Sequence, residues 1–103
     1  MAAIRITYLK AALQDWIDSY EWYSEAEFEI AEQFEQEIIK GIDFIKRHPE
    51  SGGFLGDGLR KIKLPSYPFS IIYELNKEKE LWQVVIVSIA HEKRRPGFWK
   101  NRY

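Results

Sequence analysis

The chain contains no cysteine, and only one methionine, two histidines and four prolines in 103 residues. Without a thiol there is no disulfide framework, no thiolate metal site and no cysteine nucleophile. Two isolated histidines offer no metal constellation, so neither a metal nor another cofactor is expected. Net charge is also nearly absent, with 15 Lys+Arg against 16 Asp+Glu, or −1. Taken at face value this argues against nucleic-acid binding, whose usual footprint is a basic domain. Long apolar runs are missing too. The longest, Val84 to Ala90, is broken by Ser88 and falls far short of the roughly 18 residues that span a bilayer. Met1–Tyr8 lacks the apolar core of a signal peptide, so no membrane partner and a cytoplasmic location are expected.

What is present is a core. Hydrophobic residues make up 46% and aromatics 16%, which is not the composition of a disordered tail. The length suits a single domain over residues 1–103. Ile4, Ile6 and Tyr8 alternate with Arg5 and Thr7, predicting a short strand. From Ala11 the period becomes helical, with Leu13, Trp16, Ile17 and Tyr20 as the apolar stripe. A second helix is predicted from about Glu27, with Ala31, Phe34, Ile38, Ile42 and Ile45 as its stripe. It stops at His48-Pro49, because proline disfavours helical geometry in the residue before it. Glu50 to Gly58 holds four glycines and reads as a mobile loop. Three strands should follow: 59–64, with Ile62 and Leu64 on one face and Lys61 and Lys63 on the other; 69–75; and 81–91, apolar on both faces like a central strand. The expected fold class is α+β in two layers and the order β-α-α-β-β-β. An N-terminal helical hairpin would pack on a small, mainly antiparallel sheet.

The charges are segregated. Residues 1–58 hold 5 Lys/Arg against 12 Asp/Glu, a net of −7, and residues 59–103 hold 10 against 4, a net of +6. The basic half clusters further, at Arg60, Lys61 and Lys63 and at Lys93, Arg94, Arg95, Lys100 and Arg102. Phe98, Trp99 and Tyr103 are interleaved with the tail cations. Cations neutralise phosphates and aromatic faces stack on splayed bases, so this surface is a candidate for RNA or an acidic partner. The helix acids read as a solvated face. His48, at a helix end, suits a capping or loop role. His91 closes the last strand beside the basic triplet. It could act as general acid or base in RNA cleavage, or end the strand with a structural hydrogen bond. The glycine loop lacks phosphate-cradling spacing and leads into a strand.

In this order the segments His48-Pro49-Glu50-Ser51-Gly52, Leu59-Arg60-Lys61-Ile62-Lys63-Leu64, Pro68-Phe69-Ser70-Ile71-Ile72-Tyr73 and the ending His91 to Arg102 resemble the RelE/ParE toxin superfamily. The resemblance covers nearly the whole chain. It implies the toxin of a bacterial type II toxin–antitoxin (plasmid stabilisation) module, neutralised by a cognate antitoxin in a hetero-oligomer or acting as a homodimer. RelE-like members are ribosome-dependent mRNA endonucleases, whereas ParE-like members poison DNA gyrase without nuclease activity. By position, Lys61 and Lys63 match the paired strand lysines of the nucleases. Lys93 or Arg94 falls near their arginine after the last strand, and Trp99 near their C-terminal tyrosine. Ser70 stands where those nucleases carry an arginine. The resemblance thus implies mRNA cleavage with His91, Lys61, Lys63 and Arg94 as catalytic candidates. Arg60, Lys93, Arg95, Trp99, Lys100 and Arg102 would bind RNA or a partner. The alternatives are a non-catalytic gyrase inhibitor and a degenerate toxin that only binds its antitoxin.

Overall fold

In the computed structural model, which describes residues 3–95, 97, 98 and 102, the chain forms five strands and two helices. Strand β1 (Ala3–Tyr8) leads into helices α1 (Lys10–Ala26) and α2 (Phe28–Arg47). Strands β2 (Gly53–Gly56), β3 (Leu59–Lys63), β4 (Phe69–Lys77) and β5 (Leu81–His91) follow. The sheet order is β1-β5-β4-β3-β2, with β1 parallel to β5 and every other pair antiparallel. The helices cover one face of it, so the α+β two-layer arrangement holds. No helix among the described residues is long and apolar enough to cross a membrane.

One extended residue, Glu27, joins the helices; its N–H is bonded to the Tyr23 carbonyl at 2.9 Å. The α2 stripe is buried as expected, at Ala31, Phe34, Ile38, Ile42 and Ile45. The α1 stripe is only partly so: Trp16 and Tyr20 are half-buried. Leu13 is 43% and Ile17 50% exposed, and the buried contact is made by Ala12, with Trp16 and Tyr23 packed beside it. Ala12 lets the helix approach the sheet closely, and Trp16 and Tyr23 fill the space to either side of it.

The Glu50–Gly58 segment is a second correction. It contains β2, paired to β3 with Gly53 opposite Lys61 and Phe54 opposite Arg60. Two of the four glycines that suggested a loop serve the tight β2–β3 turn, where Gly56, Asp57 and Gly58 all take positive φ. The strand is stabilised by the Arg60 guanidinium, 5.6 Å from the Phe54 ring centroid.

A bulge sets which face each β5 residue occupies. Tyr73 pairs with Ile86 and Ile72 with Ser88, so Val87 is the extra residue. Val84, Ile86 and Ile89 consequently all join the helix-side core, while Val87 and Ala90 join a smaller cluster with Leu59 and Ile72. Leu55 and Phe98 pack against that second cluster.

Candidate anion-binding face and tail anchor

Strand β1 is shorter than β5, and its pairing ends at Tyr8 opposite Ile86. The remainder of that β5 edge would leave backbone groups without a strand partner. Side chains take their place. Asp15, on the second turn of α1, accepts the Ile89 N–H at 3.2 Å and the Ser88 hydroxyl at 2.7 Å through Oδ2. Arg102 donates to the Val87 carbonyl at 3.3 Å. The other Asp15 oxygen receives Arg94 at 3.1 Å and Arg102 at 3.0 Å. Phe98 lies near both guanidinium groups, its ring centroid 3.8 Å from the Arg94 carbon and 5.0 Å from that of Arg102. Arg94, Phe98 and Arg102 are thus gathered at the β5 edge around one carboxylate.

This accounts for two of the sequence candidates. Arg94 and Arg102 hold the tail, and the Arg102 side chain is only 9% exposed. Arg60 is similarly engaged, donating to the carbonyls of Glu50 at 2.9 Å and Gly52 at 3.1 Å. Lys61 and Lys63 are exposed on the sheet face away from the helices, since Ile62 between them packs toward the main core. The Lys63 ammonium lies 3.4 Å from the Leu64 carbonyl and 3.5 Å from that of Tyr67. Lys93 and Arg95 are exposed. Trp99 and Lys100 lie outside the described residues.

His91 accepts the Lys93 N–H on Nδ1 at 3.1 Å, which ends the strand in a turn, and its ring stands edge-on to Phe69 at 5.0 Å. The imidazole borders two clefts. One, of about 360 Å³, runs over Asp15, Asp18, Trp22 and Arg94; the other, of about 150 Å³, brings His91 together with Lys61, Ser70, Glu92, Arg94 and Phe98. Among the described residues no group of three His, Asp or Glu side chains is placed to hold a metal ion.

Sequence reasoning missed Asp15, assigning it with the solvated helix acids. The available signal was Ser88, a hydroxyl inside an otherwise apolar strand, which needed a polar partner once buried. His48 occupies the place expected of it, closing α2 with its N–H on the Phe44 carbonyl at 2.8 Å.

Residues 6–96 match the family model described as ParE toxin of type II toxin-antitoxin system, parDE. Among solved structures, a chain from the chromosomal ParDE toxin–antitoxin system of P. aeruginosa superposes with a TM-score of 0.65 at 17% identity, covering 85% of this chain and 97% of that one. No curated protein sequence matches. A match across nearly the full length, together with the fold it predicts, shows that this chain belongs to the ParE toxin family of type II toxin–antitoxin systems.

Proposed function

We propose that this chain is the toxin of a type II toxin–antitoxin module, restrained by a cognate antitoxin. In this reading it arrests growth by gripping a protein target, DNA gyrase on the family's pattern, rather than by cutting RNA. The observation that carries this is the engagement of Arg94. A cleavage site needs a cation free to stabilise charge developing on phosphate, yet the Arg94 guanidinium is paired to Asp15 at 3.1 Å and lies on Phe98. Ser70 stands where RelE-like nucleases carry an arginine, which leaves Lys61 as the one cation of that cleft with no ion pair among the described residues. The exposed cations Lys61, Lys93 and Arg95 suit an acidic protein surface, where charge complementarity sets register and on-rate.

The nuclease reading retains one observation in its favour: Lys61, His91 and Arg94 border a single cleft. Purified toxin added to a supercoiling reaction and to translating ribosomes separates the two. Blocked supercoiling near a one-to-one ratio with gyrase, over intact message, is expected, and the cognate antitoxin should restore supercoiling. Message cut at sub-stoichiometric toxin, with cutting lost in His91→Ala, would replace this reading with the nuclease.

A further inference from the structure

Asp15 is the one acid of α1 with four partners. Asp18, Glu21 and Glu25 are exposed, whereas the Asp15 side chain is 12% exposed. An ionised carboxylate offers about four acceptor positions. Here they meet the Ser88 hydroxyl, the Ile89 N–H, Arg94 and Arg102. Because the first two partners belong to β5, which is paired along its other edge to β4, the carboxylate has a fixed position, and it transmits that position to both arginines. Charge-assisted bonds of this kind are shorter and stronger than neutral ones. Lys93 and Arg95 flank Arg94 in the turn after β5, are exposed, and make no ion pair among the described residues.

We infer that Asp15 is the positioning residue of the basic tail: it makes Arg94 and Arg102 anchors and leaves Lys93 and Arg95 as the cations presented to the toxin's target. An acid on the helical layer therefore sets the geometry of a basic surface built by the opposite half of the chain. The presenting part rests on the function proposed above; the anchoring part does not.

The two parts are tested separately. Limited trypsin digestion reads anchoring directly, because Lys93 and Arg94 are cleavage points in the tail while Lys61 and Lys63 report on the sheet. In Asp15→Asn, cutting in the tail should accelerate roughly tenfold or more, the size expected when bonds to a charged partner are lost, with cutting at Lys61 and Lys63 unchanged. Asp15→Glu should regain most of the protection, and Arg102→Gln, which leaves the bonds from Asp15 to Ser88 and Ile89 in place, should release the tail as well. Equal tail cutting in Asp15→Asn and wild type overturns the inference, as does faster cutting at all sites in both Asp15→Asn and Arg102→Gln. Gyrase inhibition reads presentation: Asp15→Asn should weaken it about as much as Lys93→Ala combined with Arg95→Ala. A released tail with undiminished inhibition overturns presentation. A wild-type chain that inhibits nothing overturns the proposed function and with it presentation, while the digestion still decides anchoring.

Discussion

Tyr73 shows how much one residue can organise. It is fully buried in the middle of β4, and its hydroxyl donates to the Pro49 carbonyl at 2.8 Å while accepting the Gly52 N–H at 3.1 Å. Burial pushes its phenol above the ordinary value, with the Gly52 N–H and Arg60 acting in the opposite sense. The His48–Gly52 segment is therefore held from below by Tyr73 and from the side by Arg60. Glycine is needed at 52 because an added Cβ would lie 2.9 Å from the tyrosine ring. Tyr73→Phe should destabilise the fold by about 1–3 kcal/mol, since it leaves a buried N–H and carbonyl unsatisfied. Gly52→Ala should cost about 1–3 kcal/mol by overpacking. Gly53→Ala, whose added Cβ would meet only the Lys61 carbonyl oxygen at an ordinary 3.9 Å, should stay within about 0.5 kcal/mol. Urea denaturation with a common slope measures all three, and a Tyr73→Phe midpoint equal to wild type would refute the account. The His48–Gly52 motif was legible in the sequence. Its partners were not, because they stand 8 to 24 residues away and are brought in only by the β3–β4 pairing.

At the scale of elements, the two helices differ in how plainly periodicity announces burial. Helix α2 has one apolar stripe and buries it. Helix α1 has two overlapping sets of candidates: Leu13 and Ile17 face outward, while Ala12 and Trp16 face in. Hydropathy ranks side chains by transfer, but a seat on a sheet also selects by volume, and that selection depends on β5 rather than on α1. The β5 bulge was invisible for a related reason. It is a property of the pairing between two strands, and strict alternation in either strand alone would have placed Ser88 and Ala90, rather than Ile89, toward the helices. Two substitution sets on α1 separate volume from hydropathy. Leu13→Ser with Ile17→Ser should cost less than about 1 kcal/mol together, because both positions are already half in water. Ala12→Leu, a gain in hydrophobicity, should cost about 1–3 kcal/mol, because the core there has no room. For scale, Phe34→Ala in the α2 stripe should cost about 3–5 kcal/mol. A stabilised Ala12→Leu variant would show that the α1 seat is loosely packed.

Over the whole molecule, the near-zero net charge conceals a dipole. The acidic helical hairpin forms one layer, and Lys61 and Lys63 point from the opposite face of the sheet, with Lys93 and Arg95 exposed at the end of β5. Few acids cross between the two halves: among the described residues Asp15 binds Arg94 and Arg102, and Glu50 binds Lys77 at 2.7 Å. The net excess of each sign therefore stays on its own layer, where it produces a local potential regardless of the total. A sequence pI near 6.1 would have the protein pass through a cation exchanger at neutral pH. The segregated charges predict otherwise: at pH 7 and low salt the chain should be retained on both cation and anion exchangers. It should leave each as the ionic strength approaches about 0.1–0.5 M, where the Debye length falls to about 10 Å and below. Replacing Lys93 and Arg95 with alanine should bring its release from the cation exchanger to markedly lower salt and leave its retention on the anion exchanger unchanged or stronger. Passage of the wild-type chain through the cation exchanger would mean that the acidic layer screens the basic one. In that case the exposed cations could not act as a steering surface for an acidic target.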